Sequence, residues 1–212
     1  MGAKRNESVE SAMSILLAFS TQKPVLSLAE IANETGLHKS TILRLINSLS
    51  IYGFITRDHE GSYRLGSSVW RLGLVFKQDF PSREQVAPAL RQLVSATGET
   101  ASFYVKVEDE RVCLYRENSP NLLRFHVEEG MRLRMSTGAS GLVLRHFSGE
   151  PVPDPGVFNE HGTASSIGET NPNISSVSTP VFTPSGQLSG ALTVSGLVSR
   201  FGEQERARVS PL

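Results

Sequence analysis

Leu26 to Leu49 reads LSLAEIANETGLHKSTILRLINSL, and its spacing decides the architecture of the first part of the chain. Ser27, followed three residues later by Glu30, is a capping box, so a short helix runs from Leu28 to Thr35. Gly36 stops it and supplies a turn conformation that other residues avoid. A second helix covers about His38 to Ser50, where Ile42, Leu45, Ile46 and Leu49 fall at i, i+3, i+4 and i+7 and make one buried stripe. Ala32, four residues before Gly36, is small enough for the two helices to cross closely, with Ile31 and Leu37 apolar around it. This is helix-turn-helix spacing. Burying the stripe leaves Lys39, Ser40, Thr41, Leu43, Arg44, Asn47 and Ser48 outward. Amides and the helix dipole at that start favour a phosphate, Arg44 can bind guanine O6 and N7 bidentately, and Leu43 suits a thymine methyl.

The flanking sequence completes the pattern. Upstream, Val9, Met13, Leu16 and Leu17 repeat at helical spacing in a segment that Pro24 closes. Downstream, Phe54 to Arg57 and Ser62 to Leu65 read as two short strands around Asp58, His59, Glu60 and Gly61. A helix from Ser67 to about Gln78 then carries Val69, Leu72, Gly73 and Phe76 on one face. Helix, helix, helix, hairpin, helix is the order of a winged helix-turn-helix, with Arg57 and Arg64 flanking the wing where it would meet backbone phosphate or the minor groove. The whole chain is neutral, 21 Lys+Arg against 21 Asp+Glu, which excludes a polybasic nucleic-acid coat and an acidic tail protein. Residues 1–77, however, hold 9 Lys+Arg and 6 Asp+Glu, an excess of +3 balanced by −3 in the remainder. An exposed Lys, Ser, Thr and Arg set is often only a solvated face; the wing, the local positive charge and the helix order together favour DNA. Phe80 and Pro81 interrupt helix, so the expected domains are 1–79, a winged helix-turn-helix DNA-binding domain with a linker helix, and 80–212, a second domain.

That second domain reads as α+β and sensor-like. Ser82 and Gln85 form a capping box for a helix to about Thr97, with Val86, Leu90, Leu93 and Val94 inward and Pro88 a kink. Strands follow at Thr100 to Val107 and Arg111 to Glu117, around the acidic turn Glu108, Asp109 and Glu110, and a third is expected at Leu122 to Val127. Gly138, Ala139, Ser140 and Gly141 open a helix through Phe147. Gly149 to Gly156, with Pro151, Pro153 and Pro155, is loop. Ser175 to Phe182 and Leu188 to Ser195 are later strands joined by a turn at Ser185 and Gly186.

These residues carry a family resemblance. SVESAMSILLAFS (Ser8 to Ser20), the Leu26 to Leu49 segment, GFITRD (Gly53 to Asp58) and YRLGSSVWRLG (Tyr63 to Gly73) resemble, without gaps, the DNA-binding half of the IclR family of bacterial transcription regulators. His38 stands where that family usually has Pro, and Leu43 where His or an aromatic is common. RLRMSTGASGLVL (Arg132 to Leu144) and ISSVSTPVFTPSGQLSGALTVSGLVSRF (Ile174 to Phe201) are similar to the family's effector-binding domain, itself distantly GAF-like. The resemblance implies a small organic ligand, often a carboxylate or aromatic acid, between the glycine-rich helix start and the inner face of the sheet. It implies main-chain donors at Gly138 and Ala139, with Ser166, Ser176, Thr193 and Ser195 at pocket positions. The chemistry is coherent: unpaired amides at a helix N-terminus bind carboxylate oxygens, and Thr193 and Ser195, two apart, share a strand face. The plainer alternative is that the hydroxyls only satisfy neighbouring backbone. The chain departs from the family between Phe147 and Gly162, where further helices are common, and at Leu212, where a last helix is normally completed.

Other chemistry finds little support. The single cysteine, Cys113, excludes an internal disulfide framework and any CxxC site and fits a reducing cytoplasm. In the alternating run Val112, Cys113, Leu114, Tyr115 it reads as a small buried hydrophobe. No apolar run is long enough for a membrane span, and Glu7 and Glu10 stand where an export signal would be basic. GxSxG, HExxH, Walker and GxGxxG motifs are absent, Ser20 and Lys23 form an SxxK spacing with no companion motif, and His126, His146 and His161 lack ligand spacing. No catalytic residue, metal or cofactor is expected. The sequence therefore points to a cytoplasmic homodimer or homotetramer that binds double-stranded operator DNA of pseudo-palindromic form and a small-molecule effector. Val69, Leu72 and Phe76, with Trp70 beside them, are the expected N-terminal dimer contact. The rival is a ligand-binding or catalytic sensor whose winged helix makes protein contacts only.

Overall fold

In the computed structural model, which describes residues 5–124 and 127–209, the chain divides into two units, Met1–Asp79 and Phe80–Leu212. The first contains α1 (Glu7–Leu17), α2 (Leu28–Thr35), α3 (Lys39–Ile51), the antiparallel ribbon β1 (Ile55–Arg57) and β2 (Tyr63–Leu65), and α4 (Ser67–Lys77). Local chemistry sets these ends. Asn6 Oδ1 accepts from the amides of Ser8 (3.1 Å) and Val9 (3.3 Å), satisfying donors that a helix start otherwise leaves unpaired. Ser27 and Glu30 form the reciprocal box: the Glu30 amide donates to Ser27 Oγ (3.3 Å) and the Ser27 amide to Glu30 Oε2 (2.7 Å). Gly36, at φ 70°, ends α2 by donating its amide to Ala32 O (2.9 Å).

The stripe Ile42, Leu45, Ile46 and Leu49 is buried against Ile15, Phe19 and Ile31, each large side chain contributing ~1.5–3 kcal/mol by leaving water. Helix α1 meets this core through Ala12, Ile15 and Leu16, whereas Val9, Met13 and Leu17 remain exposed. Reciprocal amide–carbonyl bonds between Leu26 and Tyr63 (3.0 and 2.8 Å) tie the wing to the segment before α2. The unit is a winged helix-turn-helix.

The second unit is α+β. It contains α5 (Arg83–Thr97), β3 (Thr100–Val107), β4 (Glu110–Glu117), β5 (Arg132–Arg134), α6 (Ala139–Phe147), β6 (Ala164–Ile167), β7 (Ile174–Phe182), β8 (Leu188–Leu197) and α7 (Glu203–Val209). The sheet order is β5-β4-β3-β8-β7-β6, with every neighbouring pair antiparallel. Val86 and Leu90 of α5 pack on one face over Phe103, Val105 and Leu114. On the other face, Val143 and Leu144 of α6 pack over Tyr104, Cys113 and Ala191. An antiparallel sheet with a helix packed on each face is a GAF-like arrangement.

One expected strand does not form. Leu122 to Arg124 and Val127 are irregular, Phe125 and His126 lie outside the described residues, and β5 takes the place beside β4. After Glu117 the chain is held at the end of the sheet instead of along it. Ser119 Oγ donates to Gly98 O (2.6 Å), Asn121 Nδ2 donates to the same carbonyl (3.1 Å), and Arg200 Nη2 donates to Leu123 O (2.8 Å). With their backbone so anchored, Leu122 and Leu123 stay exposed. Helix α5 runs through Pro88, and the short elements β5, β6 and α7 carry too few apolar residues to show a period of their own.

Candidate functional site

The start of α3 presents the nucleic-acid candidates together. Lys39, Ser40, Leu43 and Arg44 are exposed and Thr41 is half-buried. The N-cap His38 makes no side-chain cap, so the first amides of α3 keep their donors for an outside acceptor. Among the described residues neither Lys39 nor Arg44 has a hydrogen bond or ion pair. The wing cations differ. Arg57 folds back, with Nε donating to Gly61 O (3.2 Å) and its guanidinium 5.6 Å from the Tyr63 ring centroid, and Arg64 Nε lies 3.8 Å from Asp58 Oδ2. Both remain exposed, so the wing carries positive charge whose direction its own turn has already set.

Helix α4 has no buried residue. Trp70 (66 % exposed), Leu72, Leu74, Val75 and Phe76 are all exposed apolar side chains in the single chain.

In the second unit, strand register arranges hydroxyls in two rows. Ser166 of β6 pairs with Ser176 of β7, Ser176 with Ser195 of β8, and Ser195 with Thr100 of β3. Next to this row, Ser178 pairs with Thr193 and Thr193 with Ser102. Cross-strand partners share a face and the side-chain period is two, so both rows point to the side on which α6 packs. Several of the hydroxyls bond one another: Ser166 Oγ lies 2.9 Å from Ser176 Oγ, and Ser178 Oγ lies 2.9 Å from Thr193 Oγ1. These contacts offset the cost of burying them. Ser195 is half-buried, and its hydroxyl has no bond among the described residues.

The α6 start meets the first row. The Ala139 amide donates to Ser166 Oγ (2.9 Å), and the Gly138 amide donates to Glu169 Oε2 (2.7 Å). Gly138, Ala139, Ser166, Ser176 and Ser195 are thus contiguous, and Thr193 stands one row away beside Ser178. Sequence reasoning did not find Thr100, Ser102 and Ser178, nor two charged residues. Arg111 of β4 is 2 % exposed, and its Nε is buried without a partner. A Cβ at Gly138 would stand 3.2 Å from Arg111 Nη2, and one at Gly141 3.0 Å from Nη1, so the guanidinium lies along the first turn of α6. Burial lowers the Arg111 pKa, with Tyr104 and then Glu169 pulling it back up; a guanidinium stays charged through such shifts.

Cys113 is fully buried, and burial pushes its thiol up to about 12, which suits packing and not nucleophilic chemistry. A cavity of about 110 Å³ lies on the opposite face, lined mainly by Leu93, Ala96, Val177, Val194 and Val209, with Thr193 at its border. Among the described residues no helix is long and apolar enough to cross a membrane.

A winged helix-turn-helix followed by a GAF-like α+β unit is the layout of a DNA-binding transcription regulator. Residues 8–59 match the family model for the IclR helix-turn-helix domain. The HTH-type transcriptional regulator XynR of Escherichia coli is 27% identical, over 95% of this chain and 90% of its own. The crystal structure of Thermotoga maritima IclR superposes with a TM-score of 0.71 at 20% identity, over 97% of this chain and 93% of that one. An IclR homologue from Microbacterium hydrocarbonoxydans, solved in complex with 4-hydroxybenzoate, gives a TM-score of 0.69 at 16% identity, over 96% and 95%. At these identities the two structures speak for the fold. The first unit thus carries an IclR helix-turn-helix domain, and over nearly its whole length the chain is similar to regulators of that type.

Proposed function

We propose that this regulator reads operator DNA through α3 and the wing, and that a small organic acid bound on the hydroxyl face of the second unit controls it. The uncapped start of α3, with Lys39 and Arg44 exposed and unpartnered, carries the DNA half of this reading. Lys39, Ser40 and Thr41 lie at the phosphate, Leu43 and Arg44 reach base edges, and Arg57 and Arg64 of the wing contact backbone. The protein acts as a dimer or higher homo-oligomer in the cytoplasm, joined in part by the apolar surface of α4, because two half-site contacts then share one association step. It performs no catalysis.

The effector half rests on the hydroxyl rows meeting the α6 start, and on the Microbacterium homologue's complex with an aromatic acid. Gly138, Ala139, Ser166, Ser176, Thr193 and Ser195 are its binding residues. Ser195→Ala removes one charge-assisted hydrogen bond of ~1.5–3 kcal/mol. Effector affinity should fall roughly tenfold or more, while operator affinity without effector stays unchanged, since linkage acts only through the ligand's differential affinity. The experiment is fluorescence anisotropy on DNA flanking the gene at several salt concentrations, followed by calorimetry with a panel of aliphatic and aromatic acids. Salt-insensitive or absent DNA binding would overturn the first half, and a panel in which no acid binds would overturn the second.

A further inference from the structure

The start of α6 is not an empty set of donors. Its first amide, Gly138 N, is already bonded to a carboxylate, that of Glu169. Arg111 supplies an independent sign that this place is built for an anion: it is a buried cation along the same helical turn, and although Nη1 donates to Arg134 O and the guanidinium lies 5.8 Å from the Tyr104 ring centroid, its Nε is buried with no partner. Among the described residues Arg111 has no ion pair, although Glu169 is a carboxylate whose charge it feels. Glu169 itself is exposed. It sits on the turn between β6 and β7, where Gly168, at φ 73°, donates its amide to Ile174 O (2.8 Å). That backbone bond holds the turn whichever way the Glu169 side chain points.

We propose that Glu169 is a tethered carboxylate seated on the anion subsite at the start of α6, and that an effector carboxylate binds by displacing it. This rests on the effector reading given above and adds a mechanism of selection. Exchanging one carboxylate for another leaves a single negative charge beside a single buried guanidinium. A neutral ligand of the same shape would eject Glu169 and take away the carboxylate whose charge Arg111 feels, a loss that a buried cation penalises. The competition also weakens every acid by a common factor, because a tethered group acts at an effective concentration of ~mM. The subsite therefore demands an acid that brings further contacts, such as hydrogen bonds to Ser195, before it yields.

The test uses the full chain with Glu169→Ala and Glu169→Gln, and sodium acetate, sodium benzoate and benzamide as probes at constant ionic strength. Acetate should raise the melting temperature of Glu169→Ala in a saturable way and leave that of the native protein unmoved. Benzoate should bind both variants roughly tenfold more tightly than it binds the native chain, and benzamide should gain nothing. Glu169→Gln keeps an acceptor for the Gly138 amide and loses only the charge, so it serves where the alanine variant folds poorly. Acetate acting alike on native and variant proteins, or benzamide gaining as much as benzoate, would overturn the proposal. An acid that binds the native chain with an affinity unchanged by both substitutions would overturn displacement and leave the effector reading standing. Rescue of the variant by acetate, with no acid binding the native chain, would support the tethered subsite and sink the effector reading instead.

Discussion

Helix α3 begins at Lys39 behind His38, which offers no cap, and its first turn is open to solvent. Helix α6 begins at Ala139 behind Gly138, and both of those amides are taken, by Ser166 and Glu169, beside a buried guanidinium. The physics at the two starts is the same, since unpaired donors and the helix dipole favour negative charge at each. On the function proposed above, their surroundings fit them to different tasks. An open start with exposed, unpartnered cations suits a polyanion that arrives with many phosphates and leaves when salt rises. A buried start with its donors engaged suits one small anion that must compete for its place, and that competition is where selectivity arises.

The largest effect that would break this contrast lies at α6. A Cβ on Gly141 would stand 2.4 Å from Met135 O, a backbone atom, and 3.0 Å from Arg111 Nη1. Gly141→Ala should destabilise the second unit by about 3 kcal/mol, near the upper end of overpacking penalties, because neither the helix nor the backbone opposite can give way. Chemical denaturation followed by near-ultraviolet signals from each unit checks this. A variant as stable as the parent would mean that the α6 start is loosely packed, and the account of a buried anion subsite would lose its foundation.

How much of this could be read from the chain alone follows from contact range. The α2–turn–α3 segment was readable in detail because its determinants are local: Ser27 and Glu30 in the capping box, Gly36 at the turn and the Ile42 stripe all fall within one short stretch. The site of the second unit was readable only in part. Thr193 and Ser195 share a face by alternation, but Ser102 and Thr100 join them only through the pairing of β3 with β8, and register between strands so distant in sequence leaves no local signal. Nothing local in the sequence distinguishes Arg111 from an ordinary polar strand residue next to an acidic turn, or Glu169, between Gly168 and Asn171, from a solvated turn charge. The strand expected at Leu122 to Val127 failed for a related reason, since its apolar composition says nothing about the ties to Gly98 and Arg200 that pull it from the sheet edge.

The next largest effect is at the open start. Arg44 is exposed and unpartnered, so Arg44→Ala should leave the melting temperature in place while costing ~1–3 kcal/mol at the operator and relaxing preference at one base position. Competition binding against a set of single-base operator variants reads this directly. Unchanged discrimination would move base recognition to another side chain. Gly36→Ala sharpens the comparison from the stability side. A Cβ there meets nothing within 4 Å, so its only cost is the left-handed φ of 70°, ~1–2 kcal/mol. The penalty should be smaller than at Gly141 and confined to the first unit, since one site is strained by conformation and the other by contact.

The smallest effect falls to Lys39, and its character matters more than its size. Lys39 stands at the first position of α3, exposed and without a partner, where an ammonium adds to the field that draws a phosphate but has no fork with which to read a base. Lys39→Ala should therefore weaken cognate and unrelated DNA by the same factor and make the logarithmic salt dependence shallower by about 1. Arg44→Ala, in contrast, should change the ratio of cognate to unrelated binding. Binding isotherms for both variants on both DNAs across a range of salt separate the two roles. If Lys39→Ala alters the specificity ratio and leaves the salt slope intact, the lysine is not at a phosphate, and the open start of α3 does not work by the electrostatics that distinguish it from the occupied start of α6.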